Sequence, residues 1–125
     1  MDTEILNAKI SKVTLSMAAH GCLTFCVYLD GAGWGCGFGG YCIGTGYLGA
    51  DEDDFTAESG DGLVAMMRIM DTVGVEKWED LQGKYVRCKV KDWGDTVDEI
   101  GHIMHDKWFN IREFFAERNG KNDRQ

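Results

Sequence analysis

The segment from Asp30 to Gly49, DGAGWGCGFGGYCIGTGYLG, holds nine of the chain's seventeen glycines, set among aromatic and cysteine residues. Glycine lets backbone approach a ligand or another chain closely, while Trp34, Phe38, Tyr41 and Tyr47 offer flat apolar faces. Two arrangements suit such a segment. One is a nucleotide-type pocket; the other is a tightly wound strand pair that needs glycine for close packing.

The sequence around it reads as alternating strands followed by helix. Residues 8–17 alternate as a strand with Lys9, Ser11, Val13, Leu15 and Met17 on one face. Residues 22–29 form a second strand with Leu23, Phe25, Val27 and Leu29 on one face, and Asp30-Gly31 turns the chain. Residues 34–38 and 41–43 are read as two further short strands. The acidic DEDD at 51–54 is a solvated loop. Between Ser59 and Val73 the period becomes helical, with Leu63, Met66, Met67, Met70 and Val73 in one stripe. Ser59 or Asp61 is the candidate N-cap, and Gly74 the C-terminal stop. Val64 and Ile69 widen the apolar surface and hint at a subunit contact.

Further on, Trp78 to Leu81 reads as one helical turn ended by Gly83. Residues 84–90 alternate again, with Tyr85, Arg87 and Lys89 facing out and Val86, Cys88 and Val90 facing the core. Residues 91–95 form a hairpin loop, and 96–104 return as a strand. The last helix starts at Asn110, with Glu113 in a capping-box position, and carries Ile111, Phe114 and Phe115 inward. These elements predict an α+β domain over residues 1–118: an antiparallel β-meander sheet with one central helix and one C-terminal helix. The polar residues 119–125 are expected to form a mobile tail.

Composition narrows the function. At 125 residues the chain is one domain. No apolar run reaches the roughly 20 residues of a membrane span, and the N-terminus has no signal-peptide pattern. A net charge of −8 argues against coating long nucleic acid, though not against a small anion held by one or two arginines. The five cysteines lack CxxC spacing and read as reduced, small apolar residues in strands.

Candidate chemistry is sparse. GxGxxG occurs at Gly35-Gly37-Gly40 and at Gly44-Gly46-Gly49, but no helix follows to receive a pyrophosphate, and the second match runs into four acids. His102 and His105, three apart on an inferred strand, should point to opposite faces and so make no metal pair. No residues are nominated as nucleophile, acid or base, so a binding domain without metal or cofactor is favoured over an enzyme. The richer constellation is Tyr85 and Arg87 on an outward strand face, Trp93 and Asp95 in the next loop, and Arg112 on the final helix. An aromatic ring stacks a purine, a guanidinium clamps a diphosphate, and a carboxylate accepts ribose hydroxyls. The alternative is that the two aromatics cover a sheet edge and the arginines are solvated.

Taken together, HGCLTF, GWGCGFGGYCIGTGYLGA, GLVAMMRIMDTVGVEKWEDLQGKYVR and DKWFNIREFF resemble small phage and prophage proteins of the first-described Thoeris anti-defence type, over residues 8–116. That resemblance implies a sponge in the bacterial host cytoplasm. It would bind cyclic ADP-ribose isomers made by TIR-domain defence enzymes and sequester them without cleavage. It implies a homo-oligomer, dimers that assemble further into a hexamer, and it allows cyclic oligonucleotide signals at separate sites. On it, the pocket residues are Tyr85, Asp95 and Arg112, with Trp93 adjacent. Asp95 stands where an amide would suit a diphosphate better. Arg68 and Gly37 are the candidates for a second, oligomer-dependent site. A reading from another class remains beside it: an oligomeric phage structural protein that packs through its glycine-rich segment.

Overall fold

A computed structural model describes residues 3–123 apart from 20, 48, 59 and 91–96, with backbone alone at 18, 19 and 119–123. Seven strands, β1 (Glu4–Ala19), β2 (Cys22–Gly31), β3 (Trp34–Thr45), β4 (Thr56–Ala57), β5 (Tyr85–Val90), β6 (Glu99–His102) and β7 (Trp108–Asn110), join in one sheet. Their order is β4-β3-β2-β1-β5-β6-β7, and every neighbouring pair is antiparallel. The central helix α1 (Asp61–Val73) and the C-terminal helix α2 (Ile111–Asp123) complete an α+β fold. The backbone of α2 stays helical past Arg118, where the sequence reading ends the domain.

The long strand β1 serves two partners in succession. Glu4 to Lys9 pairs with β5, whereas Lys9 to Ala19 pairs with β2. Ile10 lies opposite Leu29 and Lys12 opposite Tyr28, so Ser11 is the extra residue of a bulge. The bulge breaks the single face expected for residues 9–17. Before it, Ala8 and Ile10 are buried; after it, Val13 packs on the core, while Lys9 and Ser11 face solvent. In β2 the expected alternation holds, with Phe25, Val27 and Leu29 fully inside.

β3 is one strand rather than the two expected. Gly39 and Gly40 take positive φ values of 110° and 88°, and the β2–β3 register shifts beside them. Glycine absorbs that irregularity within the strand, so the chain bends there without leaving the sheet. The sheet curls strongly enough to bring Phe38 of β3 edge-on to Phe109 of β7, with centroids 6.4 Å apart. Four strands lie between β3 and β7 in the sheet order.

Helix α1 lies over the inward face, and its buried residues are Gly62, Ala65, Met66, Ile69, Thr72 and Val73. The stripe is therefore rotated from the one expected: Leu63 and Met67 are exposed. Gly62 explains the rotation, because any side chain there would overlap Ile43 of β3. The smallest residue faces the sheet, and the larger Leu63 and Met67 fall outside. The N-cap is Gly60, with no side-chain cap; Asp61 is already in the first turn, and Ser59 lies outside the described residues. Gly74 closes α1 with φ 94°, its N–H bonded to the Met70 carbonyl at 2.8 Å.

The strand expected over 96–104 shrinks to β6, followed by bends and the unexpected short β7. Asn110 caps α2 as expected, its Oδ1 accepting the Glu113 N–H at 2.9 Å. Ile111 and Phe114 are buried, and Phe115 stacks on Tyr41 at 4.4 Å. The 3-10 turn at Trp78–Leu81 also matches the reading, with Leu81 wholly inside and the Trp78 ring edge-on to Phe25.

Candidate functional site

The helices leave one face of the sheet uncovered, and the register places its side chains in rows. Val86 and Cys88 of β5 are fully buried, so Tyr85, Arg87 and Lys89 point the other way, beside Lys9, Asn7 and Ile5 of β1. Tyr85 is 58 % exposed, with the Lys9 ammonium 6.0 Å above its ring. One row on, Arg87 lies opposite Gly101 of β6, and Gly101 opposite Trp108 of β7. Lacking a side chain, Gly101 allows the indole to lie across it. The Arg87 guanidinium then sits 4.7 Å from the Trp108 ring and the Lys89 ammonium 4.5 Å. Trp108 donates its Nε1–H to Asp106 at 2.9 Å, and Lys89 pairs with Glu99 at 3.0 Å.

Arg87 also ties down the turn that follows β6. Its Nε and Nη2 donate to the His102 and His105 carbonyls, each at 2.8 Å. His102 Nδ1 in turn accepts the backbone N–H groups of Met104 and His105, each at 3.0 Å. The two imidazoles are only 4.4 Å apart. This overturns the expected divergence of the pair: β6 ends at His102, so His105 belongs to a turn rather than to the opposite face of a strand. Desolvation, followed by His105, Lys107 and Arg87, holds the His102 pKa below its ordinary value. Among the described residues no group of three or more His, Cys, Asp or Glu side chains could hold a metal ion.

Arg112 occupies a different corner. It is exposed and pairs with Asp98 at 3.6 Å, a contact of little energetic weight at that exposure. Tyr85 begins β5, whereas Asp98 lies just before β6, beyond the far end of the β5–β6 ladder. The length of β5 therefore separates Tyr85 from the Arg112 corner, roughly 17 Å at ~3.3 Å per residue. Among the described residues, Tyr41 is an aromatic whose phenol feels the Arg112 charge. Desolvation chiefly raises its phenol pKa; Asp98 raises it further and Arg112 lowers it. Trp93 and Asp95 lie outside the described residues.

The second pair of candidates is also split. The Arg68 guanidinium, on α1, lies 4.8 Å from the ring of inward-facing Phe109. Gly37 neighbours the buried Phe38, so it faces the opposite side of the sheet, where it lies opposite Tyr28 and against Cys26. Both GxGxxG matches lack a phosphate-binding helix, as expected. The first lies wholly within β3, and the second leaves β3 for the exposed acidic turn at Glu52–Asp54.

Sequence reasoning gave no role to Trp108. Its signal was available only as a tryptophan opposite a glycine, which requires the register. A second unforeseen feature is a cleft of about 180 Å³ between β3 and the two helices, lined by Tyr41, Cys42, Ile43, Glu58, Asp61, Gly62 and Phe115. No family model matches the chain, and no curated protein or solved structure matches it.

Proposed function

We propose that this protein is a phage anti-defence sponge that binds and sequesters cyclic ADP-ribose-type signals of TIR-domain enzymes without cleaving them. The observation that carries the reading is Tyr85, a ring more than half exposed on a strand whose inward neighbours are sealed from water. With Lys9 above it and Arg87 two residues on, it offers a stacking surface for a purine beside positive charge for a diphosphate. Resemblance to the Thoeris anti-defence proteins supplies the ligand class. Because Tyr85 and Arg112 stand at opposite ends of β5, a pocket using both takes them from two copies of the chain. The same holds for Arg68 and Gly37, the candidates for a second, oligomer-dependent site. A homodimer, or a hexamer built from dimers, meets that requirement.

The test mixes the protein with a TIR-derived cyclic ADP-ribose isomer, removes free ligand, and heats the complex. Intact ligand is expected in the supernatant; a cleaved product would make the protein an enzyme, and no retention at micromolar concentration would end the proposal. Tyr85→Ala should weaken binding about ten-fold or more, on a stacking scale of about 1–3 kcal/mol per base, and Arg112→Ala by a similar factor through lost charge-assisted hydrogen bonds, with circular dichroism unchanged.

A second reading draws on β3. Among the described residues its outer edge is paired by β4 only at Gly44 and Thr45, which leaves most of the glycine-rich strand without a described strand neighbour on that side. A structural or interaction protein would use that edge to pack subunits. It predicts a defined oligomer in light scattering with no affinity for the nucleotide.

A further inference from the structure

The five cysteines are not equivalent, and two of them meet. Cys22 pairs with Thr45 and Thr24 with Cys42, on either side of a register shift, so Cys22 and Cys42 are cross-strand neighbours near the end of the β2–β3 ladder. The Cys42 thiol donates to the Gly44 carbonyl at 3.1 Å. Hydrogen bonding with Cys42, then burial, then the charges of Cys42 and Glu58 raise the Cys22 pKa. Cys42 is the exposed member and lines the cleft with Tyr41, Glu58 and Asp61.

The other thiols lack this setting. Cys88 is fully buried, and desolvation pushes its pKa up to about 11. Burial likewise raises Cys36, which packs against the core. Cys26 lies under Gly37 on the uncovered face.

We propose that Cys22 and Cys42 form a redox-active dithiol at the mouth of this cleft, closing to a disulfide with low-molecular-weight disulfides such as oxidised glutathione. Cys42, deprotonated by solvent, attacks one sulfur of the oxidant. The oxidant's S–S bond breaks, its first thiolate leaves with the electron pair, and a mixed disulfide forms on Cys42. Cys22 then gives up its proton and attacks the Cys42 sulfur, expelling the second thiolate, which takes a proton from water. Two protein thiols are oxidised, and one disulfide is reduced to two thiols. The new bond joins the start of β2 to the end of β3 and fixes one wall of the cleft.

The experiment treats the full-length protein with oxidised glutathione, alkylates the remaining thiols, and maps peptides by mass spectrometry. The expected result is a monomer lighter by about 2 Da, two hydrogen atoms, with Cys22 linked to Cys42 and Cys26, Cys36 and Cys88 alkylated only after unfolding. Dithiothreitol should restore all five free thiols. Cys22→Ser should halt the reaction at glutathionylated Cys42, and Cys42→Ser should leave the protein unmodified. A link between any other pair, or five free thiols after oxidation of the wild-type protein, overturns the proposal. Peptide mapping of the wild-type chain decides this without relying on the folding of either variant.

Discussion

The β2–β3 ribbon and the β5–β7 meander are both antiparallel, yet they use glycine to different extents in packing. In the ribbon, crowding is relieved by omission. Gly35 and Gly37 stand opposite Asp30 and Tyr28, and α1 comes down on Ile43 through Gly62. In the meander one omission, Gly101, is filled by a neighbour's indole, and the cations Arg87 and Lys89 gather on it. Most of the ribbon's glycines therefore relieve contact with a paired strand, although Gly31, at its end, seats the Trp34 indole much as Gly101 seats that of Trp108. Ile43, buried beneath α1, has little room to move; an indole nearer the surface does.

That contrast sets an order of effects. Phe38→Ala removes the ring through which the ribbon meets Phe109 of the meander, and should cost about 3–5 kcal/mol in urea unfolding. If the loss is under 1 kcal/mol, the two regions are not joined through that contact. Gly62→Val forces α1 away from Ile43, and about 1–3 kcal/mol should be lost, with little relief from Ile43→Ala unless the helix re-seats. Gly101→Ala should cost less, because the Trp108 ring can swing into solvent. Its readout is a red shift in tryptophan emission, with the stability loss suppressed in a Trp108→Ala background. An equal loss from Gly62→Val and Gly101→Ala would erase the distinction.

The smallest effect concerns pH and only the meander. His102 has a folded pKa below the ordinary imidazole value of about 6.5, so the unfolded chain binds more protons in the window just below that value. Stability should be complete above about pH 6.5 and decline as pH falls toward the lowered folded value. Protonation at Nδ1 also cancels the two backbone hydrogen bonds that shape the turn. His102→Asn should flatten that slope in unfolding experiments run at several pH values, while Cys26→Ser in the ribbon should leave it unchanged. An unaltered slope in His102→Asn would assign the pH dependence to other groups.

What could be read from the sequence follows the same division. Alternation in residues 22–29 and 84–90 named the inward residues correctly, because a strand covered on one face obeys period two without help from its neighbours. The caps at Gly74 and Asn110 were legible for a similar reason: each acts within a few residues. Features set by distant partners were not legible. The bulge at Ser11 depends on how β1 is shared between β2 and β5, the rotation of α1 depends on Ile43, and the seat of Trp108 depends on Gly101. Among the site candidates, Tyr85 was placed by local alternation. Its relation to Arg112 depends on the direction of the β5–β6 hairpin, which local pattern does not carry.

The sharing of β1 also has a consequence in time. Glu4 to Lys9 pair with β5, and the Leu6–Cys88 contact spans 82 positions. The β2–β3 ribbon can close on the later half of β1 as soon as it is made, because its pairings are local. Until residues 85–90 are made, the first half of β1 lacks the partner it has in the folded sheet. Long-range closure of this kind is slow and leaves strands open to other chains. The two halves of β1 therefore close over very different stretches of chain, the later half locally and the earlier half only through β5.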